Sequence, residues 1–282
     1  MSLKEIKIAD KIISPDTAPF IVAELSANHN GSIDKAKEII LLAKQKGADA
    51  IKLQTYTPDT LTIDSKKEDF MLHEGIWAGN SLYSLYQSAY TPFEWHEELF
   101  NFSKEIGIIC FSSPFDESAV DLLESLDTPA YKIASFELVD IPLIKYAASK
   151  NKPMILSTGM ADEVDIQNAM NAVLGEGNKQ IILLHCVSSY PAPAEQYNLK
   201  TIPLMRNKFK CMVGLSDHTL GNNNALASIA LGSVFIEKHF ISSRKEIGPD
   251  STFSMEPDEL LDLVESSKSI WKSLGDRGLE LQ

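Results

Sequence analysis

The feature that most constrains the fold is a series of eight short apolar runs, separated by segments with helical periodicity. The runs are rich in β-branched residues and span residues 20–25, 50–54, 107–113, 130–135, 153–159, 180–187, 211–216 and 234–240. Apolar runs of this length that alternate with helices are typical of parallel strands buried on both faces. Eight such units close a (β/α)8 barrel, which takes roughly 250 residues as one domain.

An open, doubly wound sheet is the structural alternative. Its first turn would carry a G-x-G-x-x-G phosphate loop, whereas the turn here is AELSANHNGS. We therefore predict an α/β fold, a TIM barrel formed by residues 1–282 as a single domain, with a short N-terminal hairpin in EIKIADKII. Within it, the order Thr91, Pro92, Glu94 predicts a helix capped by Thr91, with Pro92 first and Glu94 closing a capping box.

Composition narrows the possible partners. The net charge of −13 disfavours nucleic acid and anionic membrane surfaces. The three cysteines lie in apolar runs, which favours reduced, buried thiols. No run approaches the ~20 apolar residues of a membrane span, and the N-terminus lacks the apolar stretch of a signal peptide, so we expect a cytoplasmic protein. Residues 55–90 form a long excursion, and such loops usually have a function, for example as lids.

Polar side chains end the apolar runs. They are Glu24, Lys52, Gln54, Ser112, Ser113, Lys132, Ser135, Ser157, Thr158, His185, Ser188, Ser216, Asp217, His218, Glu237, Lys238 and His239. The C-terminal ends of barrel strands are where such enzymes place their active sites. The period of two puts Lys52 with Gln54, and Glu237 with His239, on one face. A solvated rim would explain one or two of these residues, so the full set predicts an active site.

The residue types suggest roles. Ammonium, hydroxyl and backbone N–H donors suited to a phosphate come from Lys132, Ser135, Ser157, Thr158 and Gly159. His218 and His239 end consecutive strands, so their rings could hold a divalent cation with positions open for substrate. Two independent structural histidines are the alternative. Asp250, in GPDSTFS, is a candidate acceptor for a substrate hydroxyl.

Collinear motifs also connect the chain to known enzymes. They are IVAELSANHNGS, GADAIKLQTYTPD, CFSSPFD, AYKIASFE, ILSTGMA, LLHCVSSYPAP, GLSDHTLG, IEKHF and GPDSTFSMEPDE. On these motifs the chain resembles the sialic-acid-synthase family of phosphoenolpyruvate-condensing barrel enzymes. The resemblance implies that C3 of phosphoenolpyruvate joins C1 of an open-chain 2-acetamido aldose, and that water attack at C2 releases phosphate by C–O cleavage. It also implies a transferase of nonulosonic acid biosynthesis, which serves cell-surface polysaccharides and flagellin glycosylation.

The same resemblance implies residue roles. Glu24 would be the catalytic acid or base, with Lys52 and Asp250 also in the catalytic set, and His218 and His239 would hold Mn²⁺ or Mg²⁺. Positions around the phosphate would be Ser113, Lys132, Ser135, Ser157, Ser188 and Ser216, and other substrate-facing positions would be Gln54, Glu137 and Tyr190. The family's antifreeze-like C-terminal domain is not expected within these residues. A homodimer is expected if the full-length protein carries that domain.

Within the family, AELSANH, QTYTPDTLTIDSKKEDF and LYSLYQSAYTPFEWH most resemble pseudaminic acid synthases, as does Ser188, where neuraminate enzymes typically have asparagine. The implied substrate is 2,4-diacetamido-2,4,6-trideoxy-L-altrose. N-acetylneuraminate or legionaminate synthesis from an N-acetylmannosamine-type sugar is the alternative. Aromatic walls, which Tyr56, Tyr83, Tyr86 or Trp77 could supply, would favour the methyl groups of the 6-deoxy sugar.

Two other classes of function remain open at this point. A metal-dependent aldolase acting on free pyruvate would share the cation and carboxylate but would need no phosphate site, so phosphate release separates the two. A non-catalytic carbohydrate-binding module would show a shallow aromatic platform. It would not need the lysines and carboxylates that end the strands here.

Overall fold

The computed structural model describes residues 5–275, and its strands lie in the predicted hairpin and in the eight apolar runs. They are β1 (Ile6–Ile8), β2 (Lys11–Ile13), β3 (Phe20–Glu24), β4 (Ala50–Thr55), β5 (Ile109–Pro114), β6 (Tyr131–Ile133), β7 (Met154–Ser157), β8 (Ile181–Cys186), β9 (Met212–Asp217) and β10 (Phe235–His239). Strands β3 to β10 form a closed parallel barrel in sequential order, with β10 beside β3. The predicted fold class is confirmed. The predicted domain bounds reach into residues 1–4 and 276–282, which lie outside the described residues.

Helices follow the strands, and those outside the excursion of residues 55–90 pack on the outer side of the barrel. They are α1 (Ile33–Gln45), α2 (Pro58–Leu61), α3 (Leu82–Ala89), α4 (Phe93–Ile106), α5 (Glu117–Ser125), α6 (Ile141–Ser149), α7 (Glu163–Gly175), α8 (Thr201–Phe209), α9 (Asn223–Ala230) and α10 (Pro257–Leu274). Helices α2 and α3 lie in the long excursion, so the prediction of a simple loop there was incomplete. No helix between residues 5 and 275 is long and apolar enough to cross a membrane.

Two apolar layers result from the alternation of side chains along each strand. Outward residues such as Ile21 and Ile51 pack against the helices in one cluster, whereas inward residues such as Phe20 and Ile182 form a second cluster inside the barrel. Ile8, from the antiparallel hairpin β1–β2, belongs to the inner cluster. The hairpin therefore closes the end of the barrel at which the strands begin, and the opposite end is left for the polar residues.

The predicted start of α4 was wrong by one residue. The helix begins at Phe93, Pro92 is its N-cap, and no side chain caps it. The hydroxyl of Thr91 lies 3.3 Å from Nε2 of His29 instead. A partner distant in sequence therefore takes the hydroxyl that local capping rules assign to the helix.

Candidate active site

Strand register places three of the predicted site residues at one level of the barrel. His239 is the register partner of Glu24 between β10 and β3, and Glu24 is the partner of Lys52 between β3 and β4. Glu24 and Lys52 lie two residues after the inward residues Val22 and Ala50, and His239 lies four residues after the inward Phe235, so period two also directs all three inward. All three side chains are buried at the end of the barrel opposite the hairpin.

Two ammonium and two carboxyl groups meet here and form what we call the charge cluster: Glu24, Lys52, Lys132 and Glu237. Nζ of Lys52 lies 2.7 Å from Oε2 of Glu24 and 3.3 Å from Oε1 of Glu237. Nζ of Lys132 lies 3.6 Å from that same oxygen of Glu237. Gln54 donates from Nε2 to Oε1 of Glu24 at 3.2 Å. Buried charges are retained only when they are paired in this way.

The two carboxyl groups of the cluster have opposite pKa shifts. Burial raises the pKa of Glu24 to about 7, although the Lys52 ammonium acts against this. Burial also opposes ionisation of Glu237, but Lys132 and Lys52 together hold its pKa below the usual range. Glu24 is thus suited to exchange a proton near neutral pH, while Glu237 stays charged.

Unpaired donors lie around Gly159, the residue that follows the end of β7 by two positions. Its N–H donates to Oγ of Ser135 at 3.1 Å. A Cβ at Gly159 would lie 2.5 Å from Oγ of Ser188 and 2.9 Å from Oγ of Ser135, so no side chain fits there. Oγ of Ser157 and Oγ of Ser188 are buried and have no hydrogen-bond partner among residues 5–275. Hydroxyls that await a partner beside a close backbone approach suit an oxyanion.

Two more serines contact the charge cluster itself. Ser113 accepts from Nζ of Lys52 at 3.3 Å, and Ser216 donates to Oε1 of Glu237 at 3.3 Å. The structure thus places the predicted phosphate-site serines in two adjoining groups, one around Gly159 and one on the charge cluster.

The His218 and His239 imidazoles approach one another with ring centroids 5.4 Å apart. Nδ1 of His218 lies 2.9 Å from the Val187 carbonyl, which requires its proton on Nδ1 and leaves the lone pair on Nε2. Metal-binding histidines are commonly oriented by such a bond. Nδ1 of His239 is buried without a hydrogen-bond partner in the described part of the chain. These features fit a divalent cation.

Few protein side chains could bind a cation at this site. Among the described residues, no three or more His, Cys, Asp or Glu side chains are arranged to hold a metal together. A cation between His218 and His239 would therefore take its other ligands from water and substrate, as catalytic metal sites do.

Asp250, on the loop after β10, reaches the same side of the site. Its Oδ2 accepts from the Ser26 hydroxyl and lies 3.7 Å from Nδ1 of His239. Burial lowers the pKa of His239 well below its usual value, so this contact joins a carboxyl to a neutral ring and is not an ion pair. Burial also raises the pKa of Asp250.

Glu137 and Tyr190 complete the set of predicted residues. The Tyr190 ring centroid lies 4.2 Å from that of His218 and 6.0 Å from that of His239. Oε2 of Glu137 is buried without a partner among residues 5–275, and burial raises the pKa of its carboxyl to about 7.

The four candidate wall aromatics differ in their positions. The Trp77 ring lies 5.8 Å from Tyr190, which places it at the site. Tyr56 is buried against Tyr86, with ring centroids 5.9 Å apart. Tyr83 instead donates its hydroxyl to Asp59 in an exposed contact, so it is the weakest of the four candidates.

Some strand-end residues do not belong to the site. Lys238 and Asp217 face outward and form a buried ion pair with Nζ and Oδ2 2.9 Å apart. His185 also faces outward, bonded to the Tyr197 carbonyl. The alternation that places Glu237 inward could have excluded Lys238 from the sequence alone.

Two inward residues were missed as functional candidates. Glu237 was noted as a strand end but received no role. Cys186 was predicted only to be a reduced, buried thiol, and its Sγ lies 4.0 Å from Nδ1 of His218. Burial opposes thiolate formation, but His218 lowers the pKa of Cys186 below its usual value, whereas burial raises the pKa of Cys110 and of Cys211 to about 12. The alternation of the inward residues Ile182 and Leu184 along β8 could have shown from the sequence that Cys186 also points inward.

Comparison with known proteins identifies close relatives. Residues 39–278 match the NeuB family. Pseudaminic acid synthase of Campylobacter jejuni is 45% identical over 266 residues, which are 94% of this chain and 78% of that protein. N,N'-diacetyllegionaminic acid synthase of the same bacterium is 39% identical over 259 residues, or 91% of this chain and 77% of that protein.

A solved structure is also similar. N-acetylneuraminic acid (sialic acid) synthetase from Leptospira borgpetersenii serovar Hardjo-bovis, crystallised with citrate, superposes with a TM-score of 0.89 at 31% identity. The match covers 99% of this chain and 92% of that one. The similarity thus extends over the whole barrel.

Proposed function

Because the chain belongs to the NeuB family, we propose that it condenses phosphoenolpyruvate with 2,4-diacetamido-2,4,6-trideoxy-L-altrose to give pseudaminic acid and phosphate. The observation that carries the choice of sugar is the 45% identity to a pseudaminic acid synthase, against 39% to a legionaminic acid synthase from the same bacterium. The family resemblance of the sequence motifs is confirmed. The enzyme is thus a phosphoenolpyruvate-dependent nonulosonic acid synthase.

The donors around Gly159 support the phosphate half of the reaction. The unpaired hydroxyls of Ser157 and Ser188 and the hydroxyl of Ser135 would bind the phosphate oxygens, with the Lys132 ammonium supplying charge. Charge-assisted bonds to an anion are about twice as strong as neutral ones. A pyruvate aldolase would have no use for this arrangement.

His218 and His239 are the residues that would hold a divalent cation, Mn²⁺ or Mg²⁺. When bound, such a cation supplies Lewis-acid polarisation of a carbonyl oxygen. Tyr190, packed on the His218 ring, would bind the sugar beside it. Asp250 would accept a hydrogen bond from a sugar hydroxyl, since its loop reaches the same side of the site.

Glu24 is the residue that would move a proton. Its two oxygens face the Lys52 ammonium and the Gln54 amide, which favour the ionised form, while burial keeps its pKa near 7. A carboxylate with that pKa is a base matched to neutral pH, and we assign it the proton of the water that attacks C2. Lys52 orients this carboxylate and pairs with Glu237.

The proposal extends to the setting of the enzyme. We propose a cytoplasmic location, because phosphoenolpyruvate is a cytoplasmic metabolite, and phosphoenolpyruvate and an acetamido sugar as the partners. The net charge of −13 argues against nucleic acid. A homodimer is proposed only for a chain that carries the family's C-terminal domain.

The test is phosphate release from phosphoenolpyruvate with each candidate sugar. The altrose derivative should give the highest kcat/KM. A preference for N-acetylmannosamine or for the legionaminate precursor would overturn the sugar assignment and leave the condensation in place. Turnover of free pyruvate without phosphate release would overturn the reaction class.

A further inference from the structure

The long excursion places one aromatic side chain over the site. Met71 and Ser81 form an antiparallel bridge, and the Gly79 N–H donates to the Leu72 carbonyl at 2.8 Å, so residues 71–81 form a closed loop that we call the Trp77 loop. The Trp77 indole, half-buried, points from this loop toward the loop after β10. There its Nε1 donates to the Pro249 carbonyl at 2.9 Å.

Each of the two residues that the indole contacts, Pro249 and Tyr190, adjoins a residue of the site. Pro249 immediately precedes Asp250, whose carboxyl lies beside His239. The Tyr190 ring, 5.8 Å from the indole, packs on His218 at 4.2 Å. Trp77 thus connects the Trp77 loop to the two sides of the space in front of the histidines.

The chemistry of an indole in this position favours a particular sugar. Its single donor is already used by the Pro249 carbonyl, so the ring faces offer only apolar contact. A 6-deoxy sugar with two acetamido groups presents methyl groups to such a surface. A sugar with hydroxyls at those positions would leave them without partners, which is unfavourable.

We propose that Trp77 determines sugar specificity, contacting the acetamido sugar with its ring and positioning the Asp250 loop through its N–H. The inference rests on the proposed function, since it needs a sugar as second substrate. The phosphate-binding residues Lys132 and Gly159 are not among the contacts of the indole. Trp77 therefore governs sugar binding and leaves phosphoenolpyruvate binding unaffected.

The experiment measures kcat and KM for both substrates in Trp77→Ala and Trp77→Phe. Trp77→Ala should raise KM for the altrose derivative about tenfold or more and reduce its kcat/KM preference over N-acetylmannosamine, because the apolar surface is lost. KM for phosphoenolpyruvate should stay within about twofold. Trp77→Phe keeps an aromatic face but loses the N–H, so it should retain the preference with a smaller increase in KM.

Trp271 offers a matched control. It lies in α10, and its Nε1 also donates to a proline carbonyl, that of Pro15, at 3.4 Å. Trp271→Ala and Trp271→Phe should leave both KM values and the sugar preference unchanged. Thermal unfolding of each variant checks that it is folded. If Trp77→Ala does not fold, Trp77→Phe serves as the test.

The outcomes separate the two proposals. Turnover of the altrose derivative by the wild-type protein tests the proposed function alone. If another acetamido sugar is preferred, the Trp77 variants are measured with that sugar. An unchanged sugar KM and preference in both Trp77 variants overturns the inference and leaves the function standing, whereas no turnover with any acetamido sugar overturns both.

Discussion

Glu237 gives the sharpest test of how the charge cluster is built. Its Oε1 lies 3.3 Å from Nζ of Lys52 and 3.6 Å from Nζ of Lys132, and it accepts from the Ser216 hydroxyl. Glu237→Gln keeps the shape of the side chain and an oxygen for Ser216. It removes the negative charge that two buried ammonium groups share.

The expected loss of stability follows from these distances. Each ammonium attracts the carboxylate by roughly 5 kcal/mol at an effective dielectric constant near 20. Desolvation offsets much of this, and removing one partner of a buried pair costs about 3–5 kcal/mol in the free energy of unfolding. At about 2–4 °C per kcal/mol, Tm should fall by on the order of 10 °C.

The assay is thermal unfolding with and without inorganic phosphate. Phosphate should raise Tm more in Glu237→Gln than in the wild-type protein, because an anion near Lys52 and Lys132 replaces the lost charge. Glu163→Gln is the control, since Glu163 pairs with Lys208 at the surface, where such a pair contributes about 0–1 kcal/mol. A Tm within 2 °C of wild type would correspond to a loss of roughly 1 kcal/mol at most in the free energy of unfolding. That result would refute the claim that the Glu237 carboxylate is needed to pair the two buried ammonium groups.

Three further results are expected. Turnover should rise with pH as Glu24 loses its proton at about 7. Glu24→Gln should lower the rate roughly 10²–10⁴-fold and abolish this rise of turnover with pH. If the rise persists in Glu24→Gln, another group is responsible for it. His239→Ala should abolish divalent-dependent turnover and leave the fold intact by circular dichroism, and unchanged activity after chelation would contradict this. Tyr197→Phe removes the hydroxyl that accepts the backbone N–H of His218 at 2.6 Å and so helps to place its ring; Mn²⁺ titration should show weaker affinity, by less than the roughly 10–100-fold lost with a partner of the ring itself, whereas unchanged affinity would make Tyr197 purely structural.

The barrel and the location of its site could be predicted from the sequence because both depend on short-range patterns. Buried parallel strands are apolar throughout, so a polar residue such as Glu24 or Lys52 at the end of a run is conspicuous. In a closed parallel barrel all strand ends meet at one opening. The placement of His239 beside Glu24 follows from that geometry.

Pairing between distant strands could not be predicted in the same way. Glu237 of β10 bridges Lys52 of β4 and Lys132 of β6. No two of these three strands are neighbours, so the distances among them depend on how the barrel closes. Thr91 failed as a cap for a related reason, since His29 takes its hydroxyl from far along the chain. Local rules do not include such competitors.

The helix α3 shows a different kind of omission. Ser81 is the N-cap before the segment LYSLYQSA and Ser84, inside that segment, closes a capping box; a serine at the cap position is a helix start signal. The polar and aromatic composition of the excursion nevertheless indicated a loop. Here the capping pattern was the better guide, and the contacts of Trp77 with the site could be seen only in the structure.

The central claim is that the site binds phosphoenolpyruvate and breaks its C–O bond while joining it to a sugar. It is tested most directly with phosphoenolpyruvate carrying ¹⁸O in the oxygen that bridges C2 and phosphorus, turned over with the altrose derivative. The account predicts that the released phosphate retains the ¹⁸O, as seen by its isotope shift in ³¹P NMR, in equal amount to the pseudaminic acid formed. Phosphate without the label, or product without phosphate, would contradict it.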